Sequence, residues 1–288
     1  MKGRTDILTL HAKNVTMSDQ VDLSTIARGT PGFSGAELAS LINKAACKAS
    51  KDGKVHVSMP DLEYAKDLIL MGAERSAASF TLDNRRLTAF HEGGHALVAT
   101  LTDGALPVHK ATIMPRGHAL GMVMQLPDQD MSSWSRRQMI AEMDVCMAGR
   151  AAEELIFGVG NITSGASSDL ERATAIATSM VEKYGMSSKV GLVALSRGGK
   201  QRGGGGGQIS EETLAVIDSE VRKLTDESYA RALKMLKRHR RSLTALAEAL
   251  LEAETLTGAQ VREVVEESKA GRYVNPRLLV CACKIEIY

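Results

Sequence analysis

His91, Glu92 and His95 stand in the run His91-Glu92-Gly93-Gly94-His95, and their types and spacing define one chemistry. In a helix, residues four apart share a face, with Cβ atoms about 5–6 Å apart. Two imidazoles placed so can reach one zinc ion at about 2.0–2.1 Å. Glu92, one residue along, can hold a metal-bound water and take its proton as general base. The pattern predicts metal-assisted hydrolysis of peptide bonds. Two histidines and a water leave one tetrahedral position for another protein ligand. By residue type, Glu153, Glu154, Asp169, His109 and His118 are candidates. A glutamate on a downstream helix is a familiar arrangement in zinc peptidases, which keeps Glu153 and Glu154 in contention. Only neutral imidazoles bind metal, so metal loss is expected as pH falls well below about 6.5.

A helix must carry the histidines. Leu87, Phe90 and His91, Gly94 and His95, Val98 and Leu101 recur at three- and four-residue spacing. Asp83 is its expected cap, and Thr102-Asp103-Gly104 its end. Each glycine inside a helix costs about 1 kcal/mol relative to alanine, so Gly93-Gly94 needs a reason. Close approach of a neighbouring backbone to Gly94 is the expected one, with clearance beside the metal as the other. Strands are predicted at His109 to Met114 and Gly121 to Leu126, around a Pro115-Arg116-Gly117 turn. The second strand, as an exposed edge, would pair a substrate backbone with little regard to side chains. Ser133 is expected to open a helix through Met139, Met143 and Met147 to Phe157, stopped by Gly158. After a polar loop at 162–168, a helix runs from Ser168 to Tyr184. Residues 210–252 predict one or two long amphipathic helices, and Thr257 caps a last one. Upstream, Ser34-Gly35-Ala36-Glu37 is a capping box before Leu38, Leu41, Ile42 and Ala45. Met59-Pro60 starts the helix after it.

Composition agrees with helices. Aromatic residues make up only 3% of the 288, against 14 methionines, so cores are built from Leu, Val, Ala and Met. A net charge of +2 gives no global field for nucleic acid. The basic run Lys237–Arg241 has no interleaved aromatics and reads as a solvated face. The cysteines, Cys47, Cys146, Cys281 and Cys283, form no CxxC pair and no disulfide framework. Seven glycines in 198–207 lack the GxxxxGK[ST] spacing and read as a flexible loop rather than a phosphate cradle. No apolar run approaches 18 residues.

Four separated motifs occur in one order: His91-Glu-Gly-Gly-His95, Ala111-Thr-Ile-Met-Pro-Arg-Gly117, Gly149-Arg-Ala-Ala-Glu-Glu154 and Thr163-Ser-Gly-Ala-Ser-Ser-Asp169-Leu. Together they resemble the FtsH-type AAA metalloprotease family, in particular its i-AAA branch of the mitochondrial inner membrane. Residues 3–74 resemble the helical lid of that family's ATPase module, through Gly32-Phe-Ser-Gly-Ala-Glu-Leu38. The resemblance implies a mainly α fold: a helical AAA lid, then a mostly helical zinc-metallopeptidase domain with a small β element. Residues 1–74 would form the lid, 80–270 the peptidase domain and 271–288 an atypical tail. For the open ligand position the resemblance implies Asp169. A helix start also suits an ionised carboxylate. Gly35 and Ala36 match positions that approach the nucleotide, within an incomplete site.

The resemblance further implies one Zn2+ per chain, with ATP used only by the full-length protein. That protein would be a membrane-anchored homo-hexamer degrading unfolded or misassembled proteins. It would lie in the mitochondrial inner membrane with the peptidase domain facing the intermembrane space, or in a bacterial or chloroplast membrane. The P-loop half of the ATPase and the membrane anchor have no counterpart in this sequence. A non-catalytic assembly or chaperone module is the other reading, and the intact Glu92 argues against it.

Overall fold

The computed structural model describes residues 1–73, 81–117, 120–127, 133–195 and 209–272. The connector at 74–80, His118, the glycine-rich stretch 198–207, Cys281, Cys283 and the tail from 273 lie outside the described residues. In chain order the elements are α1 (Lys2–Ala12), α2 (Leu23–Arg28), α3 (Gly35–Lys51), α4 (Met59–Met71), α5 (Leu82–Leu101), β1 (Val108–Thr112) and β2 (Met122–Gln125). They continue with α6 (Arg136–Phe157), α7 (Ser167–Glu182), α8 (Glu211–Arg238), α9 (Arg240–Ala253), β3 (Thr255–Thr257) and α10 (Gly258–Lys269). The fold is mainly α with a small β element, as expected. No described helix is long and apolar enough to cross a membrane.

The chain divides into two compact units, one of residues 1–79 with 114–132, the other of 80–113 with 133–288. In the first, α1 to α4 enclose Leu8, Ile26, Leu38, Leu41, Ile42 and Leu62. The capping box forms: the Ser34 hydroxyl accepts from Glu37 N–H at 3.3 Å, and Glu37 accepts from Ser34 N–H at 2.7 Å. Asp22 caps α2 by accepting from Ser24 N–H at 2.9 Å. Its hydrogen bonds from Ser24 and Thr25 hold its carboxyl down at about 2.

In the second unit, α5 packs between α6 and α9. The packing is close because of Gly94. A Cβ there would lie 2.8 Å from both the Ala148 carbonyl oxygen and the Ala152 Cβ. Gly93 differs, since its Cβ would meet Ala247 and Leu243 at an ordinary 3.6 Å. β1 and β3 pair antiparallel, with Ala111 opposite Leu256. The expected amphipathic stretch 210–252 is two helices, broken at His239.

Three local expectations shift. Thr81, not Asp83, caps α5 by accepting from Asn84 N–H, while Asp83 lies inside the first turn, where the dipole favours it. Ser135, not Ser133, caps α6, because only Ser135 has a glutamine three residues on to complete a capping box. β3 was not anticipated; three residues leave no alternation to read. Cys146 is buried, which pushes its thiol up to about 12, and Cys47 is exposed; neither is in a disulfide.

Candidate metal centre

α5 sets the two histidines one turn apart, and their Nε2 atoms stand 3.1 Å from each other. α7 brings a carboxylate to them. Asp169 Oδ2 is 3.3 Å from His91 Nε2 and 3.4 Å from His95 Nε2. Among the described residues these three form the one group of His, Cys, Asp and Glu side chains able to hold a metal ion. Their triangle fits zinc. Ligand atoms about 2.0–2.1 Å from a tetrahedral ion stand about 3.3–3.4 Å apart. Space is reserved as well: a Cβ on Gly149 of α6 would lie 2.5 Å from both Nε2 atoms. Alanine at 149 would occupy the position where the ligand atoms converge.

The other ring nitrogens are held. His95 Nδ1 donates to the Val145 carbonyl of α6 at 2.7 Å, and His91 Nδ1 donates to Glu153 Oε1 at 2.7 Å. These bonds turn both Nε2 lone pairs toward Asp169. Such partners fix the tautomer and ring orientation of metal-binding histidines. Glu153 is fully buried and also accepts from Thr163 N–H at 2.8 Å and from its hydroxyl at 3.1 Å. Glu154 accepts from the Tyr229 hydroxyl. The two glutamates weighed as ligands are thus engaged elsewhere. His109 lies in β1 and is not part of the triad. Gly35 and Ala36 sit exposed in the first turn of α3, in the other unit.

Glu92 is buried beside the histidines on α5. Burial pushes its carboxyl above the usual range, with His95 and His91 opposing. Burial disfavours a charged His91, but hydrogen bonds to Asp169 and Glu153 outweigh it and push the ring up to about 10. The same histidines hold Asp169 well below the carboxylate range in spite of its burial.

The sign follows. In the metal-free chain the His91 cation is favoured over its ordinary value of 6.5. Its contribution to stability is complete below about 6.5 and disappears as pH rises through about 10. Zinc needs the neutral ring, so binding near pH 7.5 is expected to release about one proton from His91. Calorimetric titration in buffers of different ionisation enthalpy checks this, and a buffer-independent heat would contradict it. Proton competition therefore extends above the pH window read from an ordinary histidine.

Glu153→Gln is expected to weaken zinc about 10–100-fold, the usual effect of losing such a partner. Competition with a chromogenic chelator measures it, and an unchanged affinity would mean that Glu153 does not orient His91.

Sequence reasoning did not find Val145, Gly149, the Thr163 bonds or the orienting role of Glu153. A signal existed for two of them. Gly149 is a glycine inside a helix, which needs a reason as Gly94 does, and Glu153 follows it at i+4 on the same face. A backbone acceptor such as Val145 has no signal in side-chain identity.

Residues 78–264 match the model of peptidase family M41, and residues 20–64 match that of the AAA+ lid domain. The chain is 50% identical over 271 residues to the Arabidopsis thaliana ATP-dependent zinc metalloprotease FTSH 11, chloroplastic/mitochondrial, covering 94% of this chain and 32% of that protein. It is 49% identical to the Homo sapiens ATP-dependent zinc metalloprotease YME1L1 (93% and 34% covered) and 45% identical to the Caulobacter vibrioides ATP-dependent zinc metalloprotease FtsH (96% and 46%). The chain spans about a third to a half of the length of these relatives.

Proposed function

The chain belongs to peptidase family M41, and from that premise we propose that it is the zinc-dependent endopeptidase part of a membrane-anchored, ATP-dependent protease. The observation that carries this is the convergence of His91 Nε2, His95 Nε2 and Asp169 Oδ2 on one point, with Glu92 in the same helix.

His91, His95 and Asp169 are the proposed ligands, one ion per chain. Zinc held there supplies a bound water of pKa about 7 and a Lewis acid for the scissile carbonyl. Glu153 and the Val145 carbonyl keep the two rings in register. Glu92 takes the proton of the attacking water and passes it to the departing amine. The matches at 20–64 and 78–264 support a lid at 1–74 and a peptidase domain at 80–270.

The rest of the proposal concerns the longer protein. It would use ATP, assemble as a homo-hexamer and act on unfolded or misassembled proteins. Gly35 and Ala36 would approach the nucleotide there. The name of the Arabidopsis relative, chloroplastic/mitochondrial, supports an organelle, and we favour the mitochondrial inner membrane with the peptidase facing the intermembrane space.

Stripping the metal with a chelator is expected to stop the chain cutting unfolded casein, and equimolar zinc to restore it. Cleavage that persists in metal-free protein would overturn the reading.

A further inference from the structure

α6 meets the metal centre through three groups. The Val145 carbonyl accepts from His95 Nδ1, Gly149 leaves the space where the ligand atoms converge, and Glu153 accepts from His91 Nδ1. They follow one another at four-residue steps, so they share one face of the helix.

The opposite face is held by α8, which packs along α6. Asp144 and Glu154 each neighbour one of the orienting groups in sequence. At about 100° per residue, their mean direction lies about 180° from that of Gly149. Asp144 is 5% exposed. Its Oδ2 accepts from Arg231 Nε at 2.9 Å, and its Oδ1 accepts from Arg231 Nη2 at 2.8 Å and from the Ser228 hydroxyl at 2.5 Å. Glu154 accepts from the Tyr229 hydroxyl. The three donors come from four consecutive residues of α8, yet they grip α6 at points about 15 Å apart along its axis.

A carbonyl inside a helix does not turn by itself; it moves when the helix rotates or slides. Apolar packing resists this weakly, because it is non-directional. A forked guanidinium–carboxylate pair has one geometry. Two polar anchors at separate heights fix both rotation and register. The tolerance is small, since a working site must be held to within about 0.5 Å. An apolar replacement for a buried ion pair is often as stable, so stability alone does not explain charge at Asp144.

We propose that Arg231, Ser228 and Tyr229 of α8 are positioning residues for the metal ligands: Arg231 and Ser228 act through Asp144 on the Val145 carbonyl and so on His95, and Tyr229 acts through Glu154 on Glu153 and so on His91. The proposal rests on the zinc-site reading, but ring orientation can be read without metal.

NMR of the Nδ1 protons of His91 and His95, with zinc affinity from chelator competition, tests it. Arg231→Leu should speed solvent exchange of the His95 proton severalfold and leave the His91 proton unchanged. Tyr229→Phe, which removes one hydroxyl, should do the reverse. Each should weaken zinc about two- to tenfold, less than loss of a direct orienting partner. Arg231→Lys keeps the charge without the fork, and should show the same effect on His95 in smaller degree if the leucine variant does not fold. Ile217→Val, a buried change elsewhere on α8, controls for stability and should leave both protons and zinc affinity unchanged. Unchanged ring protons in the Arg231 and Tyr229 variants would overturn the proposal. So would equal responses of both rings to either variant, or the same loss of zinc in Ile217→Val. If the unaltered chain binds no zinc, the peptidase reading falls, while the ring protons of the metal-free chain still decide the role of α8.

Discussion

Glu92→Gln is expected to slow cleavage of unfolded casein by the zinc-loaded chain about 10²–10⁴-fold, the usual contribution of a general base. Zinc content should not change. Glutamine keeps the shape of glutamate and can still hold a water, but it cannot take a proton. Glu92 is also outside the triad whose atoms converge on the metal position. The two readouts, initial cleavage rate and zinc per chain by elemental analysis, therefore separate. Activity within tenfold of the unaltered chain would remove Glu92 from the chemistry. Loss of zinc together with activity would instead make it part of the metal centre.

Asp169→Asn is expected to do the opposite, losing metal and activity together. The aspartate supplies the one oxygen facing both Nε2 atoms, at 3.3 and 3.4 Å. An amide is nearly isosteric but uncharged, and it no longer balances an ion. Loss of an orienting partner alone costs about 10–100-fold in metal affinity, so loss of a direct ligand should exceed about 100-fold. The fold should persist, because Asp169 is partly exposed in the first turn of α7 and the core of that helix is Ala173, Ala177 and Met180. Zinc competition titrations measure the effect, and circular dichroism controls for the fold. Retention of stoichiometric, tight zinc by Asp169→Asn would reassign the third position to another residue.

Long periodic elements were legible in the sequence because burial writes itself into side chains. The three- and four-residue spacing located α5, although its middle is buried on every side rather than on one face, and the capping box at Ser34 and Glu37 formed as expected. The histidine pair and Glu92 were legible because the chemistry demands those types at that spacing. Caps were less so. Thr81 and Asp83 are both competent, and only the backbone path decides which oxygen meets Asn84 N–H. β3 was hidden because three residues carry no period, and its pairing with β1 joins positions more than 140 apart in sequence. At the metal centre, residue type alone left five candidates for the third ligand. Three-dimensional convergence distinguishes the four that lie among the described residues. Glu153 is one turn from Gly149 and close to His91, yet it meets Nδ1 rather than Nε2. Which nitrogen a carboxylate meets depends on helix packing that no single segment encodes.

Diffraction data collected at the zinc absorption edge, from crystals of the zinc-loaded chain, test the central claim most directly. One anomalous peak per chain is expected, about 2.0–2.2 Å from His91 Nε2, His95 Nε2 and an Asp169 oxygen. A peak bound through Glu153 or Glu154, or no peak between the two histidines, would contradict it.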